Sequence, residues 1–246
     1  MTFIALCAQL ALASADVNTT VMAGDATGES TRHFTFEVKL GGLTPLIDRD
    51  RALTSPVYSS TFGGGAMLLG EGEVDWQFFQ AFGSLALGFS GGYAEKYAKA
   101  IVAGTTTLAS DSTGLHLVPL KLLLVYRFDY LARRFGIPLV PFAKGGGVLS
   151  HWWVTKGAAV ETVNGQTGVG WAWGLAGGGG LAFQLDILDP RLARDFDTSM
   201  GVNHSYLFAE FMFEEVNRFG ERTAAGQLKS LDLSSRHFMF GLAFEI

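Results

Sequence analysis

The chain is short of cysteine, of charge and of long apolar runs. Cys7 is the only cysteine in 246 residues, so no intrachain disulfide and no cysteine-rich metal site can form. Charged residues make up 17%, against about 25% in ordinary soluble domains. The balance is 18 basic to 23 acidic, a formal net charge of −5, which withholds the basic field that nucleic-acid binding needs. The histidines His33, His116, His151, His204 and His237 are scattered, not set at zinc-ligand spacings. No stretch provides the roughly 20 apolar residues of a membrane-spanning helix. Val169–Phe183 comes nearest in composition but holds six glycines, each costing about 1 kcal/mol against alanine in a helix interior. Leu115–Tyr126 is short and carries Pro119 and Lys121.

The start of the chain is different in kind. Residues 3–15 (FIALCAQLALASA) form a short apolar run that ends in Ala13-Ser14-Ala15, a small-x-small site before Asp16. No Lys or Arg precedes the run. The pattern predicts a secretory signal peptide over 1–15, a periplasmic segment over 16–32, and a mature domain over 33–246.

What the sequence has in quantity is Gly (32) and Phe (20), with mean hydropathy of +0.26, and these residues alternate. Phe34, Phe36, Val38 and Leu40 share one parity, with Thr35, Glu37 and Lys39 on the other. In Val169–Leu185 the odd positions carry Trp171, Trp173, Leu175, Leu181 and Phe183, while the even ones are almost all Gly and Ala. Ser205–Phe213 and His237–Ile246 alternate in the same way. Period-two alternation over four or more residues is the strand signal. Thr61–Glu71, Ser84–Ser90, Leu115–Tyr126 and Leu139–Ser150 complete a set of eight. Long connections (41–60, 91–114, 151–168, 214–230) alternate with connections at 72–83, 127–138 and 186–203. The expected fold is therefore all-β: a single eight-stranded antiparallel up-and-down transmembrane β-barrel, with long loops on one side and short turns on the other. In one periplasmic turn Asp189-Pro190 predicts a short helix, with Asp189 as N-cap and Pro190 at the first position.

A soluble barrel also has eight strands, so the faces must decide. In 169–185 the bulky face is aromatic and aliphatic and the other is Gly and Ala, which suits lipid outside and a narrow lumen inside. By that phase Glu37, Lys39, Lys121, Glu210 and Glu245 point into the lumen, with Lys144 a further candidate. They are expected to pair there and close the barrel. Trp152, Trp153 and Trp171 are expected at one membrane interface, and Tyr126, with Phe128 and Tyr130, at the other.

Several stretches carry the resemblance that follows: FEVKLGGLTPLID (36–48), LLLVYRFDYLARRFGIPLVPFAKGGG (122–147), LDILDPRLARDFDTSMGVNHSYLFAEF (185–211) and LDLSSRHFMFGLAFEI (231–246). On these the chain resembles a family of outer-membrane β-barrel proteins from myxobacteria and related bacteria. The resemblance implies an outer-membrane barrel and carries no enzymatic role or ligand. One departure is the last residue: such barrels usually end in an aromatic read by the assembly machinery, whereas this chain ends in Ile246, with Phe244 two positions back.

The sequence shows no complete Ser–His–acid set. His204 and Ser205 are adjacent, hence on opposite strand faces. Ser235 and His237 share a face, with no acid evident beside them. Gly63–Gly65, Gly145–Gly147 and Gly177–Gly180 lack the Lys-Ser/Thr and the helix of a phosphate loop. No motif implies a cofactor or metal. The expected role is that of an integral outer-membrane protein, structural or acting through its extracellular loops. Its expected partners are membrane lipid and the assembly machinery. The alternatives are a narrow channel or exporter for small hydrophobic molecules, a lipid-modifying enzyme, or a soluble ligand-binding barrel.

Overall fold

The structure, a computed structural model, describes residues 33–50, 52–53, 55–101, 108–163, 165–224, 226 and 228–246. The expected signal peptide and the segment 16–32 lie outside the described residues. Eight long strands follow one another: β1 (Phe34–Leu43), β2 (Met67–Gln80), β3 (Ser84–Ile101), β4 (Leu108–Arg127), β5 (Leu139–Lys156), β6 (Val169–Gln184), β7 (His204–Val216) and β8 (Ser235–Glu245). Each pairs antiparallel with the next, and β8 pairs back to β1 with Thr35 opposite Glu245 and Gly41 opposite Met239. The sheet closes, so around the barrel wall each of the eight long strands is paired on both sides.

Parity assigns the faces. Val38, Leu40, Leu122, Leu175 and Phe240 stand 50–65% exposed on the outside, while Lys39 and Lys121 are 1–2% exposed within. This inverts a soluble protein, and only hydrocarbon suits such an outer face. The interior wall of β6 is bare for a reason visible at Gly180. A Cβ there would lie 2.7 Å from the Phe142 ring and 2.1 Å from the Ala209 carbonyl. Small positions on one stave receive large side chains from its neighbours.

Two differences from the sequence reading stand out. β2 begins at Met67, not Thr61, and continues to Gln80, through the stretch assigned to a turn. Residues 57–62 are instead a short helix, α1 (Val57–Phe62), ended by Gly63 and Gly64 in the left-handed region. Asp48 holds its N-terminus by accepting from the Tyr58 and Ser59 backbone N–H groups at 2.6 and 2.9 Å. Second, β3 and β4 run to 18 and 20 residues, about twice the 9–11 that a bilayer requires. Much of the expected loop 91–114 is ladder that projects past the apolar band.

At the other end the turns are the tight Ala81–Gly83 connection, a turn holding α2 (Tyr130–Phe135), and one holding α3 (Pro190–Met200). α3 starts at Pro190, and Asp189 accepts from the Arg191 N–H at 3.1 Å. Helix α2 lies within the expected connection 127–138, which the sequence marks only as a turn. Both ends of the described chain meet here, where the His33 and Phe34 N–H groups donate to the Ile246 carbonyl.

Candidate functional site

Alternation from five strands delivers charge to the barrel axis. β1 contributes Glu37 and Lys39; β2 contributes Glu71, Glu73 and Asp75; β4 contributes Lys121 and Arg127; β5 contributes Lys144; β7 contributes Glu210 and Glu214. Lys39 Nζ lies 2.6 Å from Glu73 and 2.9 Å from Glu210. Lys144 Nζ lies 2.6 Å from Glu37 and 2.7 Å from Glu73. Arg127 joins Glu37 to Asp75, the latter at 2.5 Å. Nearer the loops, Lys121 joins Glu71 at 2.6 Å to Glu214 at 2.5 Å. Glu245, toward the turns, accepts from Tyr206 Oη at 3.0 Å and Gln77 Nε2 at 2.8 Å. Lys39, Lys144, Glu37 and Glu210 thus meet in one array, and Lys121 belongs to a second layer.

Glu71, Glu73, Asp75, Arg127 and Glu214 escaped the sequence reading. The first three fall in or beside the segment taken for a turn, where clustered acids look solvated. Extending the period of Met67 and Leu69 through Asp75 would have exposed them.

This layer is a seal. Lys39, Glu71, Glu73, Asp75 and Lys121 are at most 4% exposed, so no water-wide passage runs beside them. Apolar clusters cover it at both ends. Leu43, Met67, Leu69, Leu115 and Leu117 lie toward the loops, and Val140, Phe142, Tyr206 and Phe208 toward the turns. A crevice of about 10 Å³ beside Arg127 and Phe208 has room for one water at most. Oxygens of Glu37, Glu73 and Asp75 lie within 4.8 Å of one another, a spacing that could hold a metal ion. Arg127, Lys144 and Lys39 already supply the cations there, so the residues do not fit a metal.

The Ser and His pairs from the sequence are also placed. Ser235 Oγ lies 3.0 Å from His237 Nδ1, but both are buried in the lumen at 1–3% exposure, beyond a substrate's reach. His204 is 2.6 Å from Asp186 in the last turn, a contact that braces the connection between β6 and β7. Of the aromatics expected at the interfaces, Trp153, Trp171 and Tyr126 point outward. Trp152 points inward, because adjacent strand residues cannot share a face. Its indole packs over Gly170, whose absent Cβ would lie 2.8 Å from it. There it joins Ile47, Leu53, Leu231 and Asp232 around a mouth pocket of about 350 Å³ among the loops.

No family model matches the sequence, and no curated protein matches it. Among solved structures the chain is similar to Ail, the attachment invasion locus protein of Yersinia pestis, at 9% identity and a TM-score of 0.46, over 88% of this chain and 100% of that one. It is similar to the outer membrane protein OprG from Pseudomonas aeruginosa at 12% identity and a TM-score of 0.47, over 89% and 98%. Neisserial surface protein A is similar at 10% identity and a TM-score of 0.46, over 87% and 97%. These likenesses concern the barrel fold alone.

Proposed function

We propose that the chain is an integral protein of a bacterial outer membrane that acts at the outer surface and does not conduct through its lumen. The observation that carries this reading is the buried ion layer, capped by apolar clusters, inside a wall that is apolar outside. With the lumen filled, contact with the surroundings falls to the loops, the mouth pocket and the outer wall. The connections 44–66, 157–168 and 217–234 lie on the side where β3 and β4 project, and 81–83, 128–138 and 185–203 lie on the other. The projecting side carries more chain, and in outer-membrane barrels the longer loops face outward. The signal peptide over 1–15 and insertion by the assembly machinery belong to the same proposal. The exporter alternative loses its main support, because the Gly and Ala wall is filled by Phe142 and Met212 rather than open.

Planar-bilayer recording of the full chain tests it. The expected outcome is no sustained protein-dependent current at neutral pH. Glu37, Glu71, Glu73, Asp75, Glu210, Glu214 and Glu245 face Lys39, Lys121, Lys144 and Arg127, so any opening would favour cations. Steady unitary steps abolished by Lys121→Ala would replace this reading with the channel.

A further inference from the structure

The outer wall carries a second polar cluster, where the barrel leaves its apolar band. On β3, β4 and β5 the outward parity brings Tyr93, Glu95 and Tyr97 beside Gly114 and His116, and these beside Trp153 and Thr155. The register sets Glu95 opposite His116 and His116 opposite Trp153, and sets Tyr97 opposite Gly114 and Gly114 opposite Thr155. Below them the same faces carry Phe89, Leu120 and Leu149. The cluster therefore lies at the border between hydrocarbon and headgroups, on the loop side.

His116 is 5% exposed on this lipid-facing wall, and a buried polar ring must be bonded. Both its nitrogens are. Nδ1 lies 2.8 Å from Tyr93 Oη, Nε2 lies 3.3 Å from Thr155 Oγ1, and Tyr93 Oη lies 2.8 Å from Glu95 Oε2. Tyr93 donates to Glu95 Oε2, so its oxygen is left to accept from His116 Nδ1–H. In that tautomer Nε2 turns its lone pair toward the Thr155 hydroxyl. A hydroxyl against a base, with the base oriented by a further polar group, is the arrangement of an activated nucleophile.

Two neighbours hold this geometry. The Trp153 ring stacks on His116 with centroids 5.0 Å apart and planes 7° from parallel. Gly114 leaves the space where the groups converge, since a Cβ there would lie 2.6 Å from Thr155 Oγ1 and 2.9 Å from His116 Nε2. A girdle of interfacial aromatics needs Trp and Tyr. It does not call for an imidazole bonded to a threonine across a glycine.

We propose that this cluster hydrolyses acyl esters of membrane lipids, with Thr155 as nucleophile, His116 as general base, and Tyr93 and Glu95 as positioning residues. The substrate class follows from position: the site opens sideways at the depth where lipid ester linkages lie, which rests on the membrane reading above. Thr155 Oγ attacks the ester carbonyl and passes its proton to His116 Nε2. The acyl C–O bond then breaks, and the leaving alcohol takes that proton. Water attacks the acyl-threonine with its proton going to Nε2, the threonine oxygen recovers it, and a free fatty acid leaves.

The test uses the full chain in phosphatidylethanolamine vesicles and in mixed micelles, reading fatty acid release. Insertion is read separately, by the heat-dependent gel mobility of a folded barrel, so a failure of the membrane reading is distinguishable. The wild type should release fatty acid. His116→Asn and Thr155→Val should each slow release about 100-fold or more, and Thr155→Ser should retain it. A long-chain alkyl fluorophosphonate should label the wild type at Thr155 with loss of fluoride, and leave His116→Asn unlabelled. Release by the inserted wild type no faster than by Thr155→Val, or undiminished in His116→Asn, would overturn the proposal.

Discussion

Lys144 shows what a single residue does in this lumen. Its ammonium bridges Glu37 and Glu73 while fully buried, and its Nζ also lies 5.3 Å from the Phe142 ring centroid. Replacing an ion pair by well-packed apolar groups can be neutral, but removing one partner leaves a buried charge unmatched. Lys144→Ala should therefore destabilise the barrel by about 3–5 kcal/mol, read from urea unfolding in lipid vesicles. Adding Glu73→Gln should recover part of that loss, because one of the stranded carboxylates is then gone. An additive double mutant would mean that the two groups do not act on each other. Lys144 was within reach of sequence reasoning only as a candidate, since the run Gly145–Gly147 blurs the alternation that would fix its parity. Arg127 was hidden differently, at the last position of β4, where an arginine looks like a turn residue.

At the scale of elements, legibility followed contrast between the two faces of a strand. β1, β6, β7 and β8 alternate bulky with small or charged residues, and their parity is readable from sequence. β2 buries Glu71, Glu73 and Asp75 and exposes Leu68, Val74 and Trp76, so a rule learned on soluble proteins places the acids in a turn. The lengths of β3 and β4 were illegible because their projecting parts carry mixed polar faces with no lipid to impose a pattern. The Thr155, His116 and Glu95 set was missed for a related reason. A search along the sequence favours neighbours, and these residues are brought together only by register across three strands. The last turn offers a test at this scale. Asp186 accepts from Gln184 Nε2 at 2.9 Å and from the Ser205 N–H at 3.1 Å, with His204 Nδ1 at 2.6 Å. Partial burial works to raise its pKa, but the bonds from His204, Gln184 and Ser205 outweigh burial and hold it below the usual 3.8. A carboxyl depressed on folding contributes stability above its unfolded pKa, and that contribution is lost as pH falls through the folded value. The turn should thus loosen below about pH 4. Hydrogen exchange across residues 185–205 should quicken there in the wild type and depend less on pH in Asp186→Asn. A wild-type profile as flat as the mutant's would remove the latch.

For the molecule as a whole, the decisive property is that it is inside out, with ion pairs at the centre and Phe, Leu and Trp at the surface. Each property requires the other. An apolar belt suits hydrocarbon, and hydrocarbon leaves the charges no place except the lumen, where they must pair. Leu175 and Ala176 are consecutive on β6, the first 57% exposed and the second 6%. Near mid-depth Leu175→Arg should cost about 2–4 kcal/mol, whereas an arginine on the same face close to an interface should cost about 0–1. A soluble sandwich would also resist an arginine in its core, so the gradient with depth carries the argument, and labelling sharpens it. In a Cys7→Ser background, a fluorophore on Leu175→Cys should be quenched by brominated lipid chains, and one on Ala176→Cys should not. A membrane barrel predicts this contrast at neighbouring positions because parity, not proximity, sets which of them meets lipid. Equal quenching of the two probes, or quenching of the outer one only by aqueous iodide, would place water where the apolar belt requires hydrocarbon.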